Sequence, residues 1–154
     1  RIIPMDSTTY SYLHKLPKDL NSVRGDILYC AKFGQQKPSE HFKIIQNRKG
    51  HRRKDNLSYL LLHGNNQPMI WVDINGQTHH GIPTPHAHVF TDEFTNGEIA
   101  IPIDRLSKHL SSTQVVSSFL EFLKYNNFTL TLELLKILIS GGPRYGNYHP
   151  KPTR

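Results

Sequence analysis

At 154 residues and 36% hydrophobic content, the chain has material for one core and one domain, and no run approaches the roughly 18 apolar residues that cross a bilayer. Its single cysteine, Cys30, excludes an intrachain disulfide and a multi-cysteine zinc site. The net charge of +7 is unevenly placed: residues 1–54 hold 12 Lys/Arg against 4 Asp/Glu, residues 55–104 hold 6 acids and no Lys or Arg, and residues 105–154 hold 7 basic against 2 acidic side chains.

In chain order, residues 6–16 predict a short helix, capped by Asp6 or Ser7 and ended by Pro17. Residues 27–33 form a mixed apolar run that predicts a strand, with Cys30 packed rather than reactive. Residues 34–39 predict a loop. Residues 41–46, with Phe42, Ile44 and Ile45, predict the next strand, and residues 48–54 are a basic run. Residues 57–63 are strongly apolar, residues 64–68 predict a turn, and residues 69–74 predict a strand carrying the only Trp. Asn75-Gly76 is the strongest hairpin signal, because both central residues of a type I′ turn need positive φ; residues 77–80 are the expected returning strand. Residues 86–91 and 98–103 predict two more strands, separated by an Asn96-Gly97 turn.

The last third predicts helices. Ser111, Ser112 or Thr113 caps one running to about residue 125, with Val115, Val116, Phe119, Leu120 and Leu123 on one side. A second covers about residues 130–140 and stops at Gly141-Gly142-Pro143. Its apolar positions exceed what one face needs, leaving room for a protein partner there. The expected architecture is α+β: a twisted antiparallel sheet flanked by an N-terminal helix and two C-terminal helices. One domain covers residues 1–143, and residues 144–154 form an irregular basic tail, read as a flexible end despite Tyr145 and Tyr148.

Residues 79–90 carry the chemistry. They hold four of the ten histidines, and Pro83 and Pro85 stiffen the approach to His86-Ala87-His88. On a strand, His86 and His88 share one face, since side chains repeat every two residues. Imidazole suits the base and the acid of metal-independent RNA cleavage because its pKa lies near neutrality. A cation must stabilise the phosphorane, and Arg48, Lys49, Arg52 and Arg53 are the candidates, held in a run with His51 as an alternative acid. The structural alternatives are a buried, hydrogen-bonded histidine beside an exposed one, and a solvated basic turn. His79-His80 reads as a loop element. Asp73 either orients a histidine or caps the Asn75-Gly76 turn, the second being slightly favoured. A metal would need a third ligand beside the pair, from His79, His80 or Asp73; no metal and no cofactor is expected.

The segments Asn47-Arg48-Lys49-Gly50, Leu60-Leu61-Leu62, Trp71-Val72-Asp73-Ile74-Asn75-Gly76, Ile82-Pro83-Thr84-Pro85-His86-Ala87-His88-Val89-Phe90 and Ala100-Ile101-Pro102 resemble, over about residues 42–125, an uncharacterised bacterial family of unknown function. The proline–histidine segment is the most specific part. Small size and the Arg/His inventory look similar to toxin nucleases of the RelE-like and EndoU-like group, an analogy at the level of class. What the resemblance implies, together with the residues, is a small bacterial endoribonuclease of toxin type, with RNA as substrate and an acidic antitoxin as partner. The cytoplasm is the expected compartment, since no signal-peptide pattern is present. The alternatives are a non-catalytic nucleic-acid-binding or protein-interaction module, and a histidine-ligated metalloprotein.

Overall fold

Asp6 starts the first helix, its carboxylate accepting the Thr9 amide at 2.7 Å. Helix α1, Ser7–Lys15, ends where Leu16 turns extended in front of Pro17. In the computed structural model, which describes residues 3–24, 28–33, 40–48, 57–64 and 66–139, the chain then runs through β1 (Lys18–Arg24), β2 (Leu28–Phe33), β3 (His41–Arg48), β4 (Leu57–His63), β5 (Gln67–Asn75), β6 (His86–Val89) and β7 (Ala100–Pro102). A one-turn helix α2 (Ile103–Leu106), helix α3 (Val115–Tyr125), the short β8 (Phe128–Thr129) and helix α4 (Leu132–Ile139) complete it. The strands form one sheet in the order β7-β6-β5-β4-β3-β2-β1-β8. Every pairing is antiparallel except β1 with β8. The expected α+β architecture is thus the observed one.

Strand alternation gives the sheet two unlike faces. Phe42 and Ile44, Tyr59 and Leu61, Ile70, Val72 and Ile74, and Ala87 and Val89 form the core with Phe119, Phe122 and Leu123 of α3. Each such aliphatic or aromatic side chain contributes about 1.5–3 kcal/mol by leaving water. Tyr59, fully covered, ties the layers together: its ring lies 5.4 Å from Phe119 and 5.3 Å from Phe122, and its hydroxyl meets Ser118 at 2.8 Å and donates to the Val115 carbonyl at 3.0 Å.

Several expectations are corrected. β1 is missed by pattern because Lys18-Asp19-Leu20-Asn21-Ser22-Val23-Arg24 is polar; its first residue, Lys18, is nevertheless fully buried. Its ammonium donates to the carbonyls of His14 (2.9 Å), Leu16 (3.1 Å) and Asn126 (2.7 Å) and lies 4.9 Å from the centre of the Phe42 ring. α3 has Gln114 as its N-cap and no side-chain cap. Instead the Glu121 carboxylate reaches back to accept the Ser111 and Ser112 amides, both at 2.9 Å. The hairpin turn is not at Asn75-Gly76, neither of which has positive φ. It lies five residues on, at His80 (φ 49°) and Gly81 (φ 81°), where His79 and Ile82 exchange both backbone hydrogen bonds at 3.0 and 2.9 Å. That pattern meets the type I′ requirement, and residues 77–80 form no strand beyond the single His79–Ile82 bridge. Among the described residues, no helix is long and apolar enough to cross a membrane.

Candidate functional site

On the sheet face away from α3, the register sets polar side chains in a row across four strands. Asn47 of β3 pairs with Ser58 of β4, Ser58 with Asp73 of β5, and Asp73 with His86 of β6. The next row pairs Leu60 with Trp71 and Trp71 with His88. His86 and His88 therefore share a face, as the spacing predicts. The His79–Ile82 hairpin and a helical turn over Asp92–Gly97 lie against this end of the sheet and supply its second wall.

Three imidazoles meet there. Ring centres are 4.9 Å apart for His86–His88 and for His79–His88, and 6.3 Å for His79–His86. Each ring has one nitrogen against a backbone carbonyl: His86 Nδ1 at 3.1 Å from Ile82, His88 Nδ1 at 2.7 Å from Gly97, and His79 Nε2 at 3.1 Å from Glu98. A carbonyl only accepts, so each of those nitrogens donates, which fixes the tautomer. The neutral rings then carry their lone pairs on His86 Nε2, His88 Nε2 and His79 Nδ1. Such a lone pair takes a proton or a metal ion. Exposure separates the three: His86 is 1% exposed and His88 9%, while His79 is half-buried.

Asp73 stands behind this cluster, with Oδ2 3.6 Å from His86 Nε2. Burial raises the Asp73 carboxyl above its ordinary value, and the charge of His86 opposes that rise. Burial lowers His88 below the ordinary imidazole value; its bond to the Gly97 carbonyl opposes this, and the neighbouring charges of His86 and His79 add to the lowering. His88 is thus set up to be neutral at neutral pH.

Gly97 holds His88 through its carbonyl and sits at φ +87°, where an added Cβ would run into the Phe90 ring. Gly97→Ala is expected to destabilise the fold by about 1–2 kcal/mol, the cost of a left-handed non-glycine residue, and to loosen His88. A fall in the urea midpoint at unchanged slope checks it.

The structure brings together His86, His88 and Asp73, and adds His79, which the sequence reading assigned to a loop role. Asp73 does not serve the Asn75-Gly76 turn as favoured; it faces His86. His80 is exposed with its ring edge-on to His79 at 4.3 Å. Arg48 ends β3 opposite Leu57. Lys49, His51, Arg52 and Arg53 lie outside the described residues, as does the tail 144–154. Trp71, Ser58 and Asn47 were missed; the alternation along β5, which sets Trp71 and Asp73 on one side, was the signal available. Among the described residues no group of three His, Cys, Asp or Glu side chains is arranged to hold a metal ion. The fold and this cluster define an α+β protein with a histidine cluster on the sheet face away from α3. No protein-family model, no curated protein and no solved structure matches the chain.

Proposed function

We propose that this protein cleaves RNA by imidazole acid–base catalysis without a metal ion. The observation that carries it is the set of three rings, each held to a carbonyl through one nitrogen, with His88 Nε2 and His79 Nδ1 left for chemistry. His88, held neutral, takes the proton of the ribose 2′-OH; the 2′-oxygen attacks phosphorus, and the bond to the 5′-oxygen breaks. His79, half-buried and 4.9 Å from His88, gives its proton to the leaving 5′-oxygen. The products are a 2′,3′-cyclic phosphate and a 5′-hydroxyl end. His86, too covered to touch substrate, is a positioning residue that acts with Asp73 on His88. In this reading phosphate contacts come from the basic run 48–54, with Arg48, Lys49, Arg52 and Arg53 as its cations. In this toxin-type reading an acidic antitoxin would cover that charge.

The test is cleavage of RNA by purified protein in EDTA, followed across pH. The base must be neutral, so activity is full above its pKa and lost as pH falls through it. Because the His88 value is lowered, the acid limb of kcat/KM is expected below 6.5. His86→Asn removes a neighbouring charge and is expected to move that limb upward. A limb unmoved by His86→Asn counts against its positioning role.

A further inference from the structure

Beside the histidines, a cavity of about 210 Å³ opens between the β3–β4–β5 surface and the start of the 76–85 loop; Leu57 and Trp71 give its apolar lining, and Asn47, Ser58, Asp73 and Gln77 its polar one. It is smaller than the roughly 300–1,000 Å³ of sites that enclose a drug-sized ligand. One planar ring system fits that scale; a whole nucleotide does not. Trp71 forms a wall and is 39% exposed, the most exposed large hydrophobic side chain among the described residues of this sheet face. Asn47, Ser58 and Gln77 each present both donor and acceptor groups, and none of the three side chains makes a hydrogen bond among the described residues.

The charge in the wall decides what enters. Asp73 is the one charged side chain among the described residues of the lining, and a carboxylate repels an anion. The cavity therefore does not suit a phosphate. A neutral ring with polar edges suits it, stacked on the Trp71 face and hydrogen-bonded at its rim. Trp71 pairs with His88 across β5 and β6, and their rings lie 5.8 Å apart. A ring held in the cavity thus places its attached sugar–phosphate at the histidines.

We infer that this cavity is a nucleobase subsite that takes one unstacked base of single-stranded RNA. The inference rests on the cleavage reading for its substrate, and its test separates the two. Trp71 is the only tryptophan in the chain, so fluorescence excited at the red edge of the tryptophan band, beyond tyrosine absorption, reports on this wall. The full chain is titrated with a 2′-O-methyl RNA tetranucleotide, which binds but cannot be cleaved. The same tetranucleotide with abasic sugars and a blunt duplex of mixed sequence serve as comparisons. Saturable quenching by the single strand is expected, with at least about tenfold weaker binding of the abasic strand and the duplex. With a dye-labelled strand, Trp71→Ala is expected to weaken binding about tenfold, and Trp71→Phe to restore most of it. Quenching without cleavage of ordinary RNA keeps the subsite and removes the nuclease reading. Cleavage with no quenching, or with equal binding of the abasic strand, overturns the subsite and keeps the nuclease. Absence of both removes both.

Discussion

His88→Gln is expected to lower RNA cleavage by 10²- to 10⁴-fold, the usual contribution of a positioned general base. The choice of glutamine matters. His88 is nearly covered and donates to the Gly97 carbonyl at 2.7 Å. Alanine would leave that carbonyl without its partner and open a cavity, so lost activity would be confounded with lost structure. Glutamine keeps an amide N–H for the carbonyl but cannot accept the 2′-OH proton at neutral pH. The measurement is a single-turnover rate beside a thermal melt. A melt within a few degrees of wild type, together with cleavage reduced by less than about tenfold, would sink the assignment of His88 as base. His79→Gln distinguishes the acid: it is expected to slow RNA more than a substrate whose leaving group needs no proton. Equal slowing of the two substrates removes His79 from that role.

Lys18→Met is expected to cost about 3 kcal/mol of stability. Two effects compete. Burial opposes the charge and pushes the ammonium down to about 7, so an apolar replacement recovers desolvation. Against that, three carbonyls accept from the Lys18 nitrogen at 2.7–3.1 Å. Methionine fills the space but leaves all three without this partner, at the junction of α1, β1 and the segment joining α3 to β8. Buried carbonyls left unsatisfied cost about 1–3 kcal/mol each, more than the desolvation recovered from a lysine that its depressed value leaves only partly charged at neutral pH. For a chain of this size, about 3 kcal/mol lowers Tm by roughly 6–12 °C. The pH dependence gives a second readout. The folded value, about 7, lies below the unfolded value of 10.5, so the unfolded state binds more protons between them. Wild-type stability therefore rises with pH across that window, and Lys18→Met is expected to lose that slope. Unfolding by urea at pH 7 and pH 10 measures both effects. A variant as stable as wild type at both values would show the lysine to be dispensable.

The sequence was most legible where pattern is local. β3 and β4 follow from apolar runs, β5 from loose alternation and β6 from the Pro83/Pro85 approach to the histidines; α1 follows from its cap and the Pro17 stop, and α3 from its 3.6-residue periodicity. Where a contact between distant segments fixes the structure, pattern fails. Lys18 marks β1 as solvent-facing by composition, yet carbonyls from α1 and from Asn126 bury it. Asn75-Gly76 has the stronger turn chemistry, but the Asp73–His86 and Trp71–His88 pairings require a longer return, so the type I′ geometry moves to His80-Gly81.

By itself the sequence determined the α+β class, the antiparallel sheet and the common face of His86 and His88, because strand periodicity needs only near neighbours. It also supplied the candidate inventory of imidazoles and cations. Only the tertiary structure decided that His79 joins the pair, that Asp73 faces His86 rather than a turn, and that Trp71, Ser58 and Asn47 form the adjoining wall. The physical reason is register. Which residues stand opposite one another across β3, β4, β5 and β6 depends on how the strands slide to bury Tyr59, Ile70, Val72 and Ala87 against α3, and one residue of slip sends every side chain to the other face.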